Sequence, residues 1–164
     1  MRRAAVQLGM DVNPSIDIQD TFHIPPMEDR RPVPVDLVED RKDYFIERDG
    51  ARFAGTHLII DLWGAERLDE IEHIEQALRD CVQAAGATLL HIHLHHFTPN
   101  AGVSGVAVLA ESHISVHTWP EKGFAAFDVF MCGAAQPHKA IEVLKNAFRP
   151  ERTDVGEHLR GRMG

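Results

Sequence analysis

The densest group of side chains able to do chemistry lies between Glu111 and His117, in the string E-S-H-I-S-V-H. His113, Ser115 and His117 alternate with two apolar residues, and a β-strand would therefore place all three on one face. Glu111 and Ser112 stand where that strand begins. Carboxylates, hydroxyls and imidazoles are the groups that nucleophilic and acid–base catalysis use. The segment is therefore the first candidate for an active site.

Two further candidates lie near Ser112 in the chain: Ser104 is eight residues before it and Cys132 is twenty residues after it. A serine hydrolase of the G-x-S-x-G type holds its nucleophile between a strand and a helix. Ser112 lies in E-S-H and is followed by a predicted strand, so the pattern excludes that class. A chymotrypsin-like triad has no sequence signature to test and stays an open alternative.

Histidines on a second predicted strand raise the alternative of a metal site. His91, His93 and His95 alternate along this strand, with His96 beside them. Three imidazoles on one strand face would suit zinc or iron. Because no carboxylate or cysteine adjoins them, we favour a polar sheet face and predict no metal.

The elements that must position these residues follow from the spacing of apolar side chains. A helix is predicted from Asp69, as its N-terminal cap, to about Ala85, where Gly86 would end it. A second helix begins near Pro137. Strands are predicted over 56–62, 88–97, 103–109, 113–119, 124–132 and 152–158. The turns between the four middle strands are short, so these strands are antiparallel.

This order of elements predicts an α+β fold, a two-layer sandwich with two helices packed on one face of an antiparallel sheet. Residues 1–50 carry five prolines with charges between them, and the stretch 27–34 shows no helical or strand period. We predict an N-terminal extended, partly disordered arm there, with packing on a neighbouring subunit as the alternative. Residues 51–164 form the predicted catalytic domain.

Net charge and cysteine content limit which binding partners and which cellular compartment we expect for this protein. The net charge of the 164 residues is −8, which disfavours nucleic acid because basic patches bind it. Cys81 and Cys132 form no C-x-x-C pair, and we interpret both as reduced thiols of a cytoplasmic protein. The first residues lack the apolar run of a secretory signal, and no apolar stretch would span a bilayer, so no membrane association is predicted.

The string A-E-S-H-I-S-V-H-T-W-P-E over 110–121 resembles the processing-site signature of the short bacterial and archaeal S-adenosylmethionine decarboxylases. The resemblance extends through F-T-P at 97–99, G-V-S-G at 102–105 and F-D-V-F-M-C-G at 127–133, and it covers about residues 53 to 160. The turn at Ala101 departs from the family pattern, because glycine is common there. The family contains proenzymes that cut themselves.

The resemblance implies cleavage between Glu111 and Ser112 into chains 1–111 and 112–164. Ser112 would become a pyruvoyl group, whose ketone forms a Schiff base with the substrate amine. Ser104 and His117 match the processing residues, with Ser104 stabilising the intermediate and His117 moving a proton. Cys132 matches the acid that reprotonates the substrate carbon.

Substrate contacts are also implied by the resemblance. Phe97 and His117 match groups that sandwich the adenine of S-adenosylmethionine, and Glu121 matches a carboxylate that binds the ribose hydroxyls. The product would donate aminopropyl groups in spermidine biosynthesis. The family's short members form dimers with sites near the subunit contact. We therefore expect a homo-oligomer of processed two-chain protomers in which Phe97 serves the partner's site. Trp119 is interpreted as a structural residue that packs at the turn before Pro120.

Three other functions remain open at this point. The same pyruvoyl chemistry would also decarboxylate arginine or ornithine, although Phe97 and Glu121 favour a nucleoside. An unprocessed, non-enzymatic ligand-binding module would need a broken site, and none is visible in the sequence. A histidine-metal protein would use His91, His93 and His95.

Overall fold

The computed structural model describes residues 45–99 and 101–163. Residues 1–44 of the predicted N-terminal arm lie outside the described residues. The elements are β1 Ile46–Arg48, β2 Ala51–Phe53, β3 Gly55–Trp63, α1 Ile71–Ala85, β4 Leu89–His96, β5 Val103–Leu109, β6 Ser112–Trp119, β7 Phe124–Cys132, α2 Lys139–Phe148 and β8 Arg152–Arg160.

Six of the strands form one antiparallel sheet in the order β4-β5-β6-β7-β3-β8. Each predicted strand is found, and the antiparallel α+β sandwich is confirmed. Strands β4 to β7 follow one another across the sheet because short turns join them. Strand β3 then lies between β7 and β8, so the first and last strands of the sheet in chain order are neighbours.

Strands β1 and β2 form a separate hairpin that the sequence analysis did not predict. Asp49 and Gly50 connect them, with φ of +51° and +75°. An Asp-Gly pair is a strong hairpin signal, because both residues tolerate the left-handed conformation that a tight hairpin turn requires. The signal was therefore present in the sequence, inside the segment interpreted as an arm.

Helix α1 ends as predicted and begins differently. Gly86 adopts a φ of +71° and closes the helix, because its backbone N–H bonds back to the last turn. The residue before the helix is Glu70, not Asp69, and it makes no side-chain capping bond. The carboxylate of Glu70 instead accepts two hydrogen bonds from Arg67, at 2.9 and 2.6 Å.

The core lies between the two helices and one face of the sheet. Alternate residues of the central strands are buried there, together with Leu78 of α1 and Phe148 of α2. Each fully buried large apolar side chain stabilises the fold by about 1.5 to 3 kcal/mol relative to exposure. Neither helix among the described residues is long and apolar enough to cross a bilayer.

The opposite side of the sheet is called the open face here, because no helix among residues 45–99 and 101–163 covers it. Strand β6 shows the alternation clearly: Ile114 and Val116 are buried in the core, while His113, Ser115 and His117 project from the open face. The predicted common face of these three polar residues is confirmed. Further open-face residues include His57, Ser104, Trp119 and Asp128.

Candidate active site

The Glu111–Ser112 bond lies at one end of the sheet, where β5 turns into β6. Only Ala110 and Glu111 connect the strands, and Leu109 pairs with Ser112 on either side of this turn. Glu111 has a φ of +64°, in the left-handed region that residues other than glycine rarely adopt. The Ala110 backbone N–H donates to the Thr88 carbonyl at 2.9 Å and holds the turn in place.

Ser112 and Cys132 are neighbours, although twenty residues separate them in the chain. The backbone N–H of Cys132 donates to Ser112 Oγ at 3.2 Å. Both residues line a cavity of about 300 Å³, together with Glu111 and the segment that follows β7. The structure therefore places the hydroxyl, the carboxylate and the thiol that the sequence singled out in one small space.

The Cys132 thiol holds its proton more firmly than an ordinary cysteine. Burial is the main cause of its raised pKa, and the negative charge of Glu111 raises the pKa further. At neutral pH the residue is therefore a thiol, which is the form that donates a proton. Cys81 has a different environment, because it is fully buried in the core and its Sγ donates to the Ala140 carbonyl at 3.8 Å.

A second group, Ser104 and His117, lies further along the same strands on the open face. The two residues pair across β5 and β6, and Ser104 Oγ lies 2.8 Å from His117 Nδ1. This hydrogen bond fixes the orientation of the imidazole. The predicted processing pair is therefore brought together by strand register.

The same strand keeps His117 away from Ser112 of its own chain. Five residues separate them along β6, and at about 3.3 Å per residue this corresponds to about 17 Å. Ser104 pairs with His117 and shares this separation. Within one chain, the serine at the predicted cleavage site and the predicted processing pair therefore do not meet.

A cavity of about 320 Å³ at the other end of the sheet is lined by two of the three predicted substrate-binding residues, Phe97 and Glu121, but not by His117. Phe97, Ser104 and Glu121 line it, with Trp119 and Gly102. The Phe97 ring is 48% exposed, and its backbone N–H donates to the Gly102 carbonyl at 2.8 Å. This geometry leaves an aromatic side chain available to a ligand beside a carboxylate.

Gly102 and Ala101 shape the turn that carries Phe97. A Cβ on Gly102 would lie 2.7 Å from the Thr118 carbonyl oxygen, so only glycine permits this approach of the two strands. Ala101, where the sequence departs from the resembled pattern, has a φ of +57°. Alanine there adopts a conformation that glycine adopts more easily.

Trp119 belongs to this cavity as well as to the turn. It packs on Phe124 with ring centroids 5.3 Å apart, as expected of a structural residue, and its ring lies 6.2 Å from that of His117. It is nevertheless 41% exposed and lines the cavity. Sequence reasoning missed this second role. The alternation along β6, which places Trp119 on the same face as His117, was the signal that pointed to it.

A third polar group occupies the middle of the open face. Asp128 Oδ2 accepts from Ser115 Oγ at 2.9 Å, and Asp128 Oδ1 lies 3.2 Å from His57 Nε2. Arg160 donates to His57 Nδ1 at 3.2 Å. Because arginine can only donate, His57 Nδ1 accepts, and His57 Nε2–H donates to Asp128. This network joins four strands and carried no signal in the sequence.

The histidines of β4 are exposed and separate. His91, His93 and His95 project from the open face, and alternate side chains of a strand stand about 6.6 Å apart. Among the residues that the structure describes, no group of three or more His, Cys, Asp or Glu is arranged to hold a metal.

Comparison with known proteins assigns the family. The profile of the S-adenosylmethionine decarboxylases matches residues 56–161, and the chain belongs to this family. An S-adenosylmethionine decarboxylase proenzyme of Thermomicrobium roseum is 48% identical over 108 residues, covering 65% of this chain and 93% of the relative. A proenzyme of the same name from Methanococcus maripaludis strain C7 is 51% identical over 110 residues, covering 65% of this chain and 89% of the relative.

A solved structure agrees with this assignment. The crystal structure of the adenosylmethionine decarboxylase from Aquifex aeolicus superposes with a TM-score of 0.62 at 36% sequence identity. The match covers 68% of this chain and 94% of that protein. The likeness therefore includes nearly the whole of that protein.

Proposed function

We propose that this chain is a self-processing, pyruvoyl-dependent decarboxylase that converts S-adenosylmethionine to decarboxylated S-adenosylmethionine and carbon dioxide. The observation that carries the proposal is the arrangement at the end of the sheet. Ser112 Oγ lies 3.2 Å from the Cys132 backbone nitrogen, beside a carbonyl held in a two-residue turn. The names of the relatives support it, since they describe proenzymes of this activity.

Processing begins at Ser112. Its Oγ attacks the carbonyl carbon of Glu111, the peptide C–N bond breaks, and the hydroxyl proton moves to the nitrogen. Removal of the Ser112 Cα proton then breaks the Cβ–O bond and releases Glu111 as a carboxylate. Water hydrolyses the dehydroalanine that remains, with loss of ammonia. The products are chains 1–111 and 112–164, the second starting with a pyruvoyl group.

The residues around position 112 fit such a group. Because the Ser112 oxygen leaves with Glu111, processing frees the Cys132 N–H beside position 112, and the surrounding cavity of about 300 Å³ is open to a ligand. A pyruvoyl group supplies a ketone that takes the substrate amine and accepts the electron pair left by carbon dioxide. The Cys132 thiol then delivers a proton to the substrate carbon, which its raised pKa allows at neutral pH.

The complete site needs a second copy of the chain. Ser112 and Cys132 lie at one end of β6, whereas His117 and its partner Ser104 lie about 17 Å along the strand. Glu121 follows the far end of β6. Two copies packed through their open faces about a two-fold axis near the middle of β6 would place the end of β6 that carries Ser112 near the partner's His117. Exposed apolar residues of the open face, Ile59, Trp63 and Val108, favour such a contact.

Substrate recognition follows from the cavity around Phe97. We propose that Phe97 and His117 sandwich the adenine and that Glu121 accepts hydrogen bonds from the ribose hydroxyls. Trp119 adds a further aromatic wall beside them. Arginine and ornithine remain the second candidate substrates, because the groups at Ser112 serve the same chemistry. The aromatic walls favour a nucleoside.

Both described cysteines are free, which supports a cytoplasmic location.

A substrate panel tests this proposal. Processed enzyme is supplied with carboxyl-labelled S-adenosylmethionine, arginine or ornithine, and the release of labelled carbon dioxide is measured. We expect release from S-adenosylmethionine alone. The Ser112→Ala chain, which cannot form the group, is the matched control and should release none. Release from arginine or ornithine at a higher kcat/KM would contradict the proposed substrate.

A further inference from the structure

The backbone of Glu111 stands out at the proposed cleavage site. Its φ of +64° is in the left-handed region, which is disfavoured for every residue with a Cβ and most easily adopted by glycine. The Glu111 side chain is exposed, so burial of the side chain does not compensate for this conformation. The residue whose carbonyl carbon Ser112 attacks is therefore held in an unfavourable state.

Contacts on both sides of the turn enforce this state. The Leu109–Ser112 pair fixes the two ends of a connection that is only two residues long. The Ala110 N–H is held by the Thr88 carbonyl at 2.9 Å, and Ser112 Oγ is held by the Cys132 N–H at 3.2 Å. Surroundings that over-determine a backbone in this way can keep strain in the folded chain.

We propose that the left-handed backbone of Glu111 is stored strain that accelerates the cleavage of the Glu111–Ser112 bond, an inference that rests on the proposed self-processing. Attack by Ser112 Oγ replaces the amide link C–N–Cα with the ester link C–Oγ–Cβ–Cα. The hydroxyl proton moves to the freed nitrogen. Because the ester link is one atom longer, Glu111 can leave the left-handed region, and the relief of strain favours the forward step.

Paired substitutions distinguish the effect of the Glu111 backbone conformation on the cleavage rate from the effect of its side chain. Glu111→Ala removes the carboxylate but keeps a Cβ, and therefore keeps the strain. Glu111→Gly removes both. Glu111→Gln keeps the size and removes the charge. Ala110→Gly adds flexibility to the same turn at a residue whose φ is not positive, and it is the control for flexibility alone.

The experiment follows the full-length chain after a pulse of cell-free synthesis and measures the first-order rate of cleavage on denaturing gels. We expect Ala110→Gly to be cut within about threefold of the unsubstituted rate. Glu111→Gln reports the effect of the charge, and Glu111→Ala, which keeps the Cβ, is the reference rate for Glu111→Gly. Glu111→Gly should be about 5- to 30-fold slower, which is the factor that left-handed strain in a single residue supplies. A Glu111→Gly rate equal to or above that of Glu111→Ala would overturn the proposal.

A thermal measurement tests the strain without cleavage. In the Ser112→Ala background, which stays a single chain, Glu111→Gly should melt at a higher temperature than Glu111→Ala. Glycine also raises the entropy of the unfolded chain, and Ala110→Gly in the same background measures that cost alone. If Glu111→Gly lowers the melting temperature, relative to Glu111→Ala, by as much as Ala110→Gly lowers it, the conformation is not strained and the inference is overturned. An unsubstituted chain that is never cut would instead contradict the proposed function, together with the kinetic part of this inference, so the two failures are distinguishable.

Discussion

The environment of the Cys132 thiol bears directly on its proposed role as the proton donor. A proton donor must be protonated when the carbanion forms, and burial together with the Glu111 charge raises the pKa of this thiol. The proposed cleavage would leave Glu111 as a chain terminus with an additional carboxylate, which would preserve the electrostatic cause of the shift. The local environment therefore suits the role that the resemblance assigned to Cys132.

The pH dependence of turnover is the first prediction at this scale. Because the active form is the protonated thiol, kcat should fall as the pH rises through the Cys132 pKa. The midpoint of that fall should lie at a pH above about 8.5, the ordinary pKa of a cysteine thiol. In processed Glu111→Gln enzyme it should move to lower pH, since one negative charge near the thiol is removed. A fall centred below pH 8 in the unsubstituted enzyme would contradict the assignment.

Removal of the thiol gives the second prediction. The Cys132→Ala chain should still be cut, since its backbone N–H still reaches Ser112, but its decarboxylation rate should drop by about 10²- to 10⁴-fold. Cys81→Ala is the matched control and should leave turnover unchanged, because Cys81 lies in the core beside Ala140. Normal turnover of Cys132→Ala would remove this residue from its proposed role.

At the scale of elements, the buried hydroxyl of Thr118 connects the sheet by hydrogen bonds to the segment before α1. Thr118 is 6% exposed on the core side of β6. Its Oγ1 accepts from the Val103 N–H at 2.8 Å and donates to the Leu68 carbonyl at 2.7 Å. Thr118 thereby fixes the start of β5 beside the cavity that Phe97 and Glu121 line.

Thr118→Val should therefore lower the free energy of unfolding by more than its small change of shape suggests. Two buried partners lose their hydrogen bonds, and the free energy of unfolding should fall by about 2 to 4 kcal/mol. Thr118→Ser keeps the hydroxyl, loses one methyl group and should cost about 1 kcal/mol. Urea unfolding in the Ser112→Ala background, where the chain stays whole, measures both. A valine variant as stable as the serine variant would contradict the role of the two hydrogen bonds.

Sequence patterns predicted elements whose signals are local. The alternation around Ile114 and Val116 predicted both β6 and the common face of its polar residues, and Gly86 marked the end of α1. The Asp49-Gly50 turn was equally local and was overlooked. The pairing of β3 with both β7 and β8 had no local signal, because contacts between distant strands depend on the packing of the whole sheet.

The candidate site was predictable to the same extent. Its residue types came from the signature around Ser112, whereas the pairing of Ser104 with His117 came only from strand register. Five residues along one strand put Ser112 and His117 at different places in the fold. The network of His57, Ser115 and Asp128 joins strands that are far apart in the chain, so no spacing pattern indicated it.

At the scale of the whole molecule, the proposed two-copy site has a direct genetic test. His117→Ala alone should not be cut, and Ser112→Ala alone has no serine to react. In a mixed dimer, the His117→Ala chain supplies Ser112 and the Ser112→Ala chain supplies His117. One of the two sites is then complete, and co-expression should restore cleavage of the His117→Ala chain.

Distinct affinity tags on the two chains allow their cleavage to be read separately on a denaturing gel. Chains purified alone and mixed after folding are the control for exchange of subunits. Cleavage of His117→Ala in the absence of its partner would show that His117 is not needed. Failure to cleave in isolated mixed dimers would contradict the sharing of the site between copies.

The central claim is that the chain cuts itself and makes its own prosthetic group. The intact mass of the purified protein under denaturing conditions tests this claim most directly. We predict two chains divided after Glu111, with the smaller chain lighter by one ammonia than the plain hydrolytic fragment that starts with Ser112. A single full-length chain, or a smaller chain with the mass of the hydrolytic fragment, would contradict the account.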